Sequence, residues 1–157
     1  MSVTRVQSRE LKKSKSEMLH TYMWIKMKDP NTVELPVEKT DQTEITHALH
    51  YQTKFSMQKD IMALLGESQT EVIIHEKTTM VDKGLFSEVS GEFGGAKFDC
   101  TIVYESVNSS TTVNATVTLS GRIDILAGAL DAVCSMWLNE YFDQLQNTNI
   151  PGTDKFV

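Results

Sequence analysis

The strongest constraint on this chain is its last regular segment. Residues 121–147, GRIDILAGALDAVCSMWLNEYFDQLQN, carry the apolar spacing of one amphipathic helix of about seven turns. Ile123, Leu126, Leu130, Val133, Trp137, Leu138, Tyr141 and Leu145 make a broad stripe, while Asp124, Asp131, Asn139, Glu140 and Asp143 keep mainly to the other sides. The residues just before it alternate with a period of two. Val113, Ala115, Val117 and Leu119 share one side, and Asn114, Thr116, Thr118 and Ser120 share the other, the pattern of a half-buried strand. A helix with one apolar stripe that follows strands with one apolar face has to bury itself against them. The expected fold is therefore α+β: a curved antiparallel sheet in meander order, packed on one long C-terminal helix.

Further upstream the alternation continues. Phe98, Cys100, Ile102 and Tyr104 face one way between Ala96 and Glu105, and Asn108–Thr112 forms a polar turn. Thr70–Val81 reads as a strand with weaker alternation. It is followed by a turn at Asp82-Lys83-Gly84 and a short strand, Leu85–Gly91, ended near Gly94-Gly95. Ile45–Met57 alternates cleanly, with Ile45, His47, Leu49, Tyr51, Thr53, Phe55 and Met57 on one side. Gln58–Glu67 then predicts a short helix stopped by Gly66. Nearer the N-terminus, Tyr22–Met27 and Thr32–Lys39 flank Asp29-Pro30-Asn31 and predict a hairpin. Pro36 puts its second arm at a sheet edge, because proline cannot donate to a ladder. The expected organisation is a basic, partly disordered arm over 1–20, one domain over 21–147 and a tail over 148–157.

A chain of 157 residues with 40% hydrophobic and 23% charged residues suits one domain with a real core. No stretch approaches the length of a membrane span, the N-terminus lacks the apolar run of a secretory signal, and two cysteines are too few for a disulfide framework. An intracellular, cytoplasmic setting is expected. The net charge of −6 divides unevenly, with about +5 over residues 1–28 and about −11 over the rest. On a first reading such an arm is a solvated, partly disordered tail, or one that lies on the acidic face of its own body; on a second it reaches RNA, anionic lipid or an acidic partner through residues 5–28. The short Lys12-Lys13-Ser14-Lys15 cluster has no interleaved aromatics, which favours the first reading.

The chemistry-bearing residues form no catalytic signature. His47 and His50, three apart on a strand, point to opposite faces and cannot share an ion. Cys100 and Cys134 read as buried thiols that behave as small hydrophobes. Gly91–Gly95 joins strands rather than opening a helix, so it is a bend and not a phosphate cradle. No cofactor, metal site or catalytic residue is predicted. An enzymatic role would have to rest on His47, Tyr51, Thr53 and Tyr104 converging.

The layout of Ile45–Met57 with Gln58–Glu67, a meander over Thr70–Ser120 and a gripping helix over Gly121–Asn147 resembles the START/Bet v 1-like (helix-grip, SRPBCC) superfamily. The resemblance implies a hydrophobic tunnel between sheet and helix. The chain departs from the pattern in two ways. One short helix fits between Met57 and Thr70 where the family has two. Five strands follow from Ile45 onward, and seven are reached only by adding the Tyr22–Lys39 hairpin, where the family has nothing. The functional expectation is non-enzymatic binding of a hydrophobic, lipid-like molecule. Its lining would be Leu49, Tyr51, Phe55, Phe98, Ile102, Tyr104 and Val117 from the sheet, with Leu130, Val133 and Trp137 from the helix. The alternative is a structural or interaction subunit, or a homo-oligomer. The basic arm and the hairpin would anchor it, through Tyr22, Met23, Trp24 and Met27.

Overall fold

Tight turns between alternating segments leave antiparallel pairing as the only economical connection, and the computed structural model has that arrangement throughout its sheet. The structure describes residues 2–35, 48–56, 59–64, 71–93, 95–121 and 127–149. In chain order the elements are β1 (Ser2–Leu11), α1 (Lys15–Lys28), β2 (Thr32–Leu35), β3 (Ala48–Ser56) and α2 (Lys59–Leu64). They continue with β4 (Glu71–Val81), β5 (Gly84–Phe93), β6 (Ala96–Val107), β7 (Ser110–Gly121) and α3 (Ala127–Asn147). The seven strands lie in the order β1-β7-β6-β5-β4-β3-β2, so β1 and β2 are the two edges of an open sheet. The α+β architecture, the meander and the long C-terminal helix agree with the sequence reading, and β2 takes the predicted edge position. Among the expected features, Pro36–Lys39, Ile45–His47, Met57, Gln58, Leu65–Glu67, Gly94, residues 122–126 and Pro151-Gly152 lie outside the described residues.

Two N-terminal expectations are corrected. The supposed arm is mostly β1, a ten-residue strand paired with β7 from Ser2↔Ser120 to Leu11↔Thr111. Its inner side holds Val3, Arg5, Gln7 and Arg9, half-buried, and Leu11, fully buried, so its core face is only partly apolar. The arginines cross to the acidic side of α3. Arg5 grips Asp131 with two hydrogen bonds, Nε to Oδ1 at 3.1 Å and Nη2 to Oδ2 at 3.2 Å. Arg9 pairs with Asp143, and Gln7 with Asn139. Much of the basic segment thus lies on its own acidic body, and the polar side chains that hold it there hide the hydrophobic period of two.

The second correction is that Tyr22–Met27 is helical. Ser14 caps α1, its Oγ accepting from the Glu17 backbone N–H, and the Ser14 hydroxyl also meets the Glu17 carboxylate. Met18 and Tyr22 sit one turn apart on the buried side. The helix stops at Asp29, whose carboxylate accepts from the Asn31 N–H and the Thr32 hydroxyl and turns the chain into β2. The predicted turn is present, but it joins a helix to a strand. With β1 and α1 in front, the chain reaches seven strands.

The core lies where α1 and α3 cover the inner face of β5–β7. Ile102, Tyr104, Val113 and Ala115 from the sheet, with Leu138 and Phe142 from α3, are completely buried, and Leu11, Met18 and Tyr22 seal one end. Gly121 closes β7 at φ +95°, where a Cβ would come within 2.4 Å of the Gly95 carbonyl oxygen; only glycine passes there.

A polar-floored cleft between sheet and helix

The inward residues of β4 are Val72, Ile74, Glu76 and Thr78, all buried. Glu76 is only 3% exposed. A carboxylate so placed costs several kcal/mol in desolvation unless it is paired and hydrogen-bonded. Its partners come from both long helices. Lys26 Nζ donates to Oε1 at 3.1 Å; the Tyr22 hydroxyl donates to Oε2, and so does Tyr141 at 3.4 Å. Tyr22 also meets Thr78, which bonds the Ser87 hydroxyl at 2.7 Å, and Tyr104 and Tyr141 share a hydrogen bond. The helical repeat explains the supply, since Tyr22 and Lys26 are four residues apart on α1, as are Trp137 and Tyr141 on α3. Three rings surround the Lys26 ammonium: Tyr22 at 5.4 Å, Tyr141 at 5.6 Å and Tyr51 at 5.9 Å. Burial above all, and then the nearby Glu76 charge, pushes the Tyr22, Tyr104 and Tyr141 phenols well above their ordinary values. They are neutral hydrogen-bonding groups at physiological pH.

Beside this cluster the sheet and α3 part. A cavity of about 420 Å³ opens there. Ile25, Lys26, Asp29 and Asn31 bound it on the α1 side, Thr53, Lys54 and Ser56 on β3, and Ile74 and Glu76 on β4. Trp137, Glu140, Tyr141 and Gln144 of α3 close it. Its size is that of a small-molecule site. Ile25, Ile74 and Trp137 offer apolar walls, the Lys26–Glu76 pair lies at the floor, and charged and amide groups stand at the rim.

Of the expected lining residues, Trp137 borders this cavity. Phe98 backs Trp137 edge-to-face at 5.2 Å between centroids, and Tyr51 lies under Lys26. Ile102, Tyr104 and Val117 are solid core, and Leu49 packs on it. The side chains of Phe55, Leu130 and Val133 lie outside the described ones. Among the expected partner anchors, Met23 and Met27 are exposed and Trp24 is half-buried beneath Lys28. Tyr22 is a correction: it is 1% exposed and tied to Glu76, because the helix turns it inward. Sequence reasoning missed Lys26 and Glu76. The Ser14-x-x-Glu17 spacing of a capping box was the available signal for α1.

The remaining chemistry-bearing groups are inert or separate. Burial first, then Glu76 and Cys134, raises the Cys100 thiol, and burial followed by Asp131 raises Cys134 to about 11. Both stay protonated and buried, which does not suit a nucleophile. His50 and His75 lie on neighbouring strands with ring centroids 6.1 Å apart. Among the described residues no group of three or more His, Cys, Asp or Glu could hold a metal ion, and no helix is long and apolar enough to cross a membrane.

A seven-stranded antiparallel meander with a C-terminal helix across it is a helix-grip-like layout. No family model matches the sequence, and no curated protein matches it. Among solved structures, the chain is similar to a protein of Thermus thermophilus at 13% identity and TM-score 0.52, covering 91% of each chain. It is also similar to a conserved protein of Geobacillus kaustophilus at 15% identity and TM-score 0.52, covering 92% of this chain and 93% of that one. At these identities the likeness is one of fold.

Proposed function

We propose that this protein binds a hydrophobic small molecule with one neutral polar head, on a START/Bet v 1-like scaffold. The observation that carries the reading is the cavity of about 420 Å³ between sheet and α3, with the Lys26–Glu76 pair at its floor. The ligand body would lie along Ile25, Ile74 and Trp137, where burial is worth about 25 cal/mol per Å² of apolar surface. The head would accept a hydrogen bond from Lys26, an ammonium with three donors of which one goes to Glu76. Since Glu76 already balances Lys26, a carbonyl or hydroxyl head fits better than a carboxylate, whose charge would have to be desolvated beside Glu76. Binding needs no covalent step, and neither thiol is poised for one.

The test is native mass spectrometry of gently purified protein, followed by titration with dodecanol and with dodecanoate while tryptophan emission is read. The expected result is uptake with a change in emission as the apolar chain displaces water beside Trp137, tighter for the alcohol, and loss of most of that change in Trp137→Phe. A bare polypeptide mass with no uptake of either probe would reject the reading.

A further inference from the structure

The second candidate interaction site is the free edge of β1. The two-residue turn at Asn108–Ser109, with Asn108 at φ +57°, closes the β6–β7 hairpin on the pair Val107↔Ser110. That pair exchanges hydrogen bonds. Alternate residues of β7 counted from Ser110 therefore aim their N–H and C=O at β6, and those counted from Thr111 aim them at β1. The β1 residues opposite the second set are Val3, Arg5, Gln7, Arg9 and Leu11. It follows that Ser2, Thr4, Val6, Ser8 and Glu10 direct their backbone groups away from β7. No described element lies on that side of β1. The edge is ten residues long and has no proline or glycine; of its charges, Arg5 and Arg9 turn inward and are held by α3, and Glu10 alone lies on the outer side. Val6, at its centre, is 71% exposed, the most exposed large hydrophobic side chain among the described residues.

We propose that β1 pairs antiparallel with β1 of a second copy of this chain, with Val6 on the two-fold axis, so that two sheets join into one. Charge and the length of strand paired together select this register. Centred on Val6, the strands oppose Ser2 with Glu10, Val3 with Arg9, Thr4 with Ser8 and Arg5 with Gln7, and no like charges meet. Shifting the centre to Arg5 sets Arg5 against Arg5, and shifting it to Gln7 sets Arg5 against Arg9; like charges directly opposite destabilise a pair. The Val6-centred register also uses the whole strand and pairs the outward backbone groups with one another. A self-complementary patch of this kind generates a closed dimer. Edge pairing alone buries less than the standard interface, so the dimer is weak and concentration-dependent.

Sedimentation of the full chain from about 10 to about 500 µM, a range suited to a weak interface, tests this. The average mass is expected to rise from that of the 17.7 kDa chain toward twice that value. Val6→Pro removes an outward N–H and leaves the β7 ladder whole, so it should give a folded monomer throughout the range. Val6→Lys, which opposes two ammonium groups on the axis, should do the same, while Val6→Thr should still dimerise. A wild-type chain that stays monomeric to the top of the range overturns the proposal. So does a dimer that both Val6→Pro and Val6→Lys leave intact.

Discussion

One helix builds two different spaces on the same sheet. Toward β7, α3 turns Leu138, Phe142 and Leu145, which are at most 2% exposed, into the core that also holds Val113, Ala115 and Leu119. Toward β3 and β4 it turns Trp137, Glu140, Tyr141 and Gln144, which border an open cavity. Residues one position apart along α3 therefore serve a close-packed interior and a ligand-sized space. The difference comes from the opposing strands. β6 and β7 present a largely apolar face, with Phe98, Cys100 and Ile102 beside Val113, Ala115 and Val117, that joins the helix in one core. β4 presents Glu76 and Thr78, whose hydrogen-bond needs draw in Tyr22, Lys26 and Tyr141 and hold the helices to a polar cluster. Stability belongs mainly to the first space, and the proposed binding would use the second.

The sharpest way to separate the two is to damage one at a time. Phe142→Ala removes a fully buried ring from the packed side and is expected to cost about 3–5 kcal/mol in urea unfolding, with ligand affinity nearly unchanged in the fraction that remains folded. A comparable loss of affinity would show that the two spaces are coupled. On the cleft side, Lys26→Met leaves the Glu76 carboxylate buried without its cation, which is expected to cost about 3 kcal/mol. Adding Glu76→Gln should recover much of that loss, because the remaining amide is neutral and still meets Tyr22 and Tyr141. If the double variant is as unstable as the single one, the pairing account of the cleft floor is wrong.

The smallest expected effect is alkaline. The Tyr22, Tyr104, Tyr141, Cys100 and Cys134 side chains all have folded-state pKa values raised above their ordinary ones, chiefly by burial. The unfolded chain releases these protons first. Their contribution is complete below about pH 8.5, where unfolded thiols begin to titrate, and it declines as pH rises past that point and past about 10 for the phenols. Lys13, held below its usual value by burial, acts in the opposite sense but is one group against these five and Tyr51, which burial also raises. Unfolding free energy should therefore be flat near neutrality and fall from about pH 9. A rise over that range would contradict the account of a neutral, buried phenol cluster.

The parts of the fold that sequence made legible are those with a single-purpose face. β6, β7 and α3 bury apolar residues on one side only, and both their periodicity and their packing were readable. β1 was not, because Arg5, Gln7 and Arg9 occupy its inner face and find their partners on a helix more than a hundred residues away. β4 was half-readable. Val72 and Ile74 point inward, but Glu76 and Thr78 continue the same face, and polar residues there break the hydrophobic pattern that identifies it. Those residues also make the floor of the cleft. The cleft was hard to see in the sequence because its inward side chains are polar and their partners are set by tertiary contact. Trp137 was found because it belongs to the one element whose stripe was unambiguous.

The central claim is that a small molecule occupies the space under Trp137 and beside Lys26. Amide NMR of labelled protein titrated with dodecanol reads this directly. The expected shifts fall on Ile25–Asn31, Thr53–Ser56, Ile74–Glu76 and Trp137–Gln144, with Val113–Leu119 unmoved. Shifts confined to the exposed Met23 and Met27 surface, or none at saturating probe, would contradict the claim.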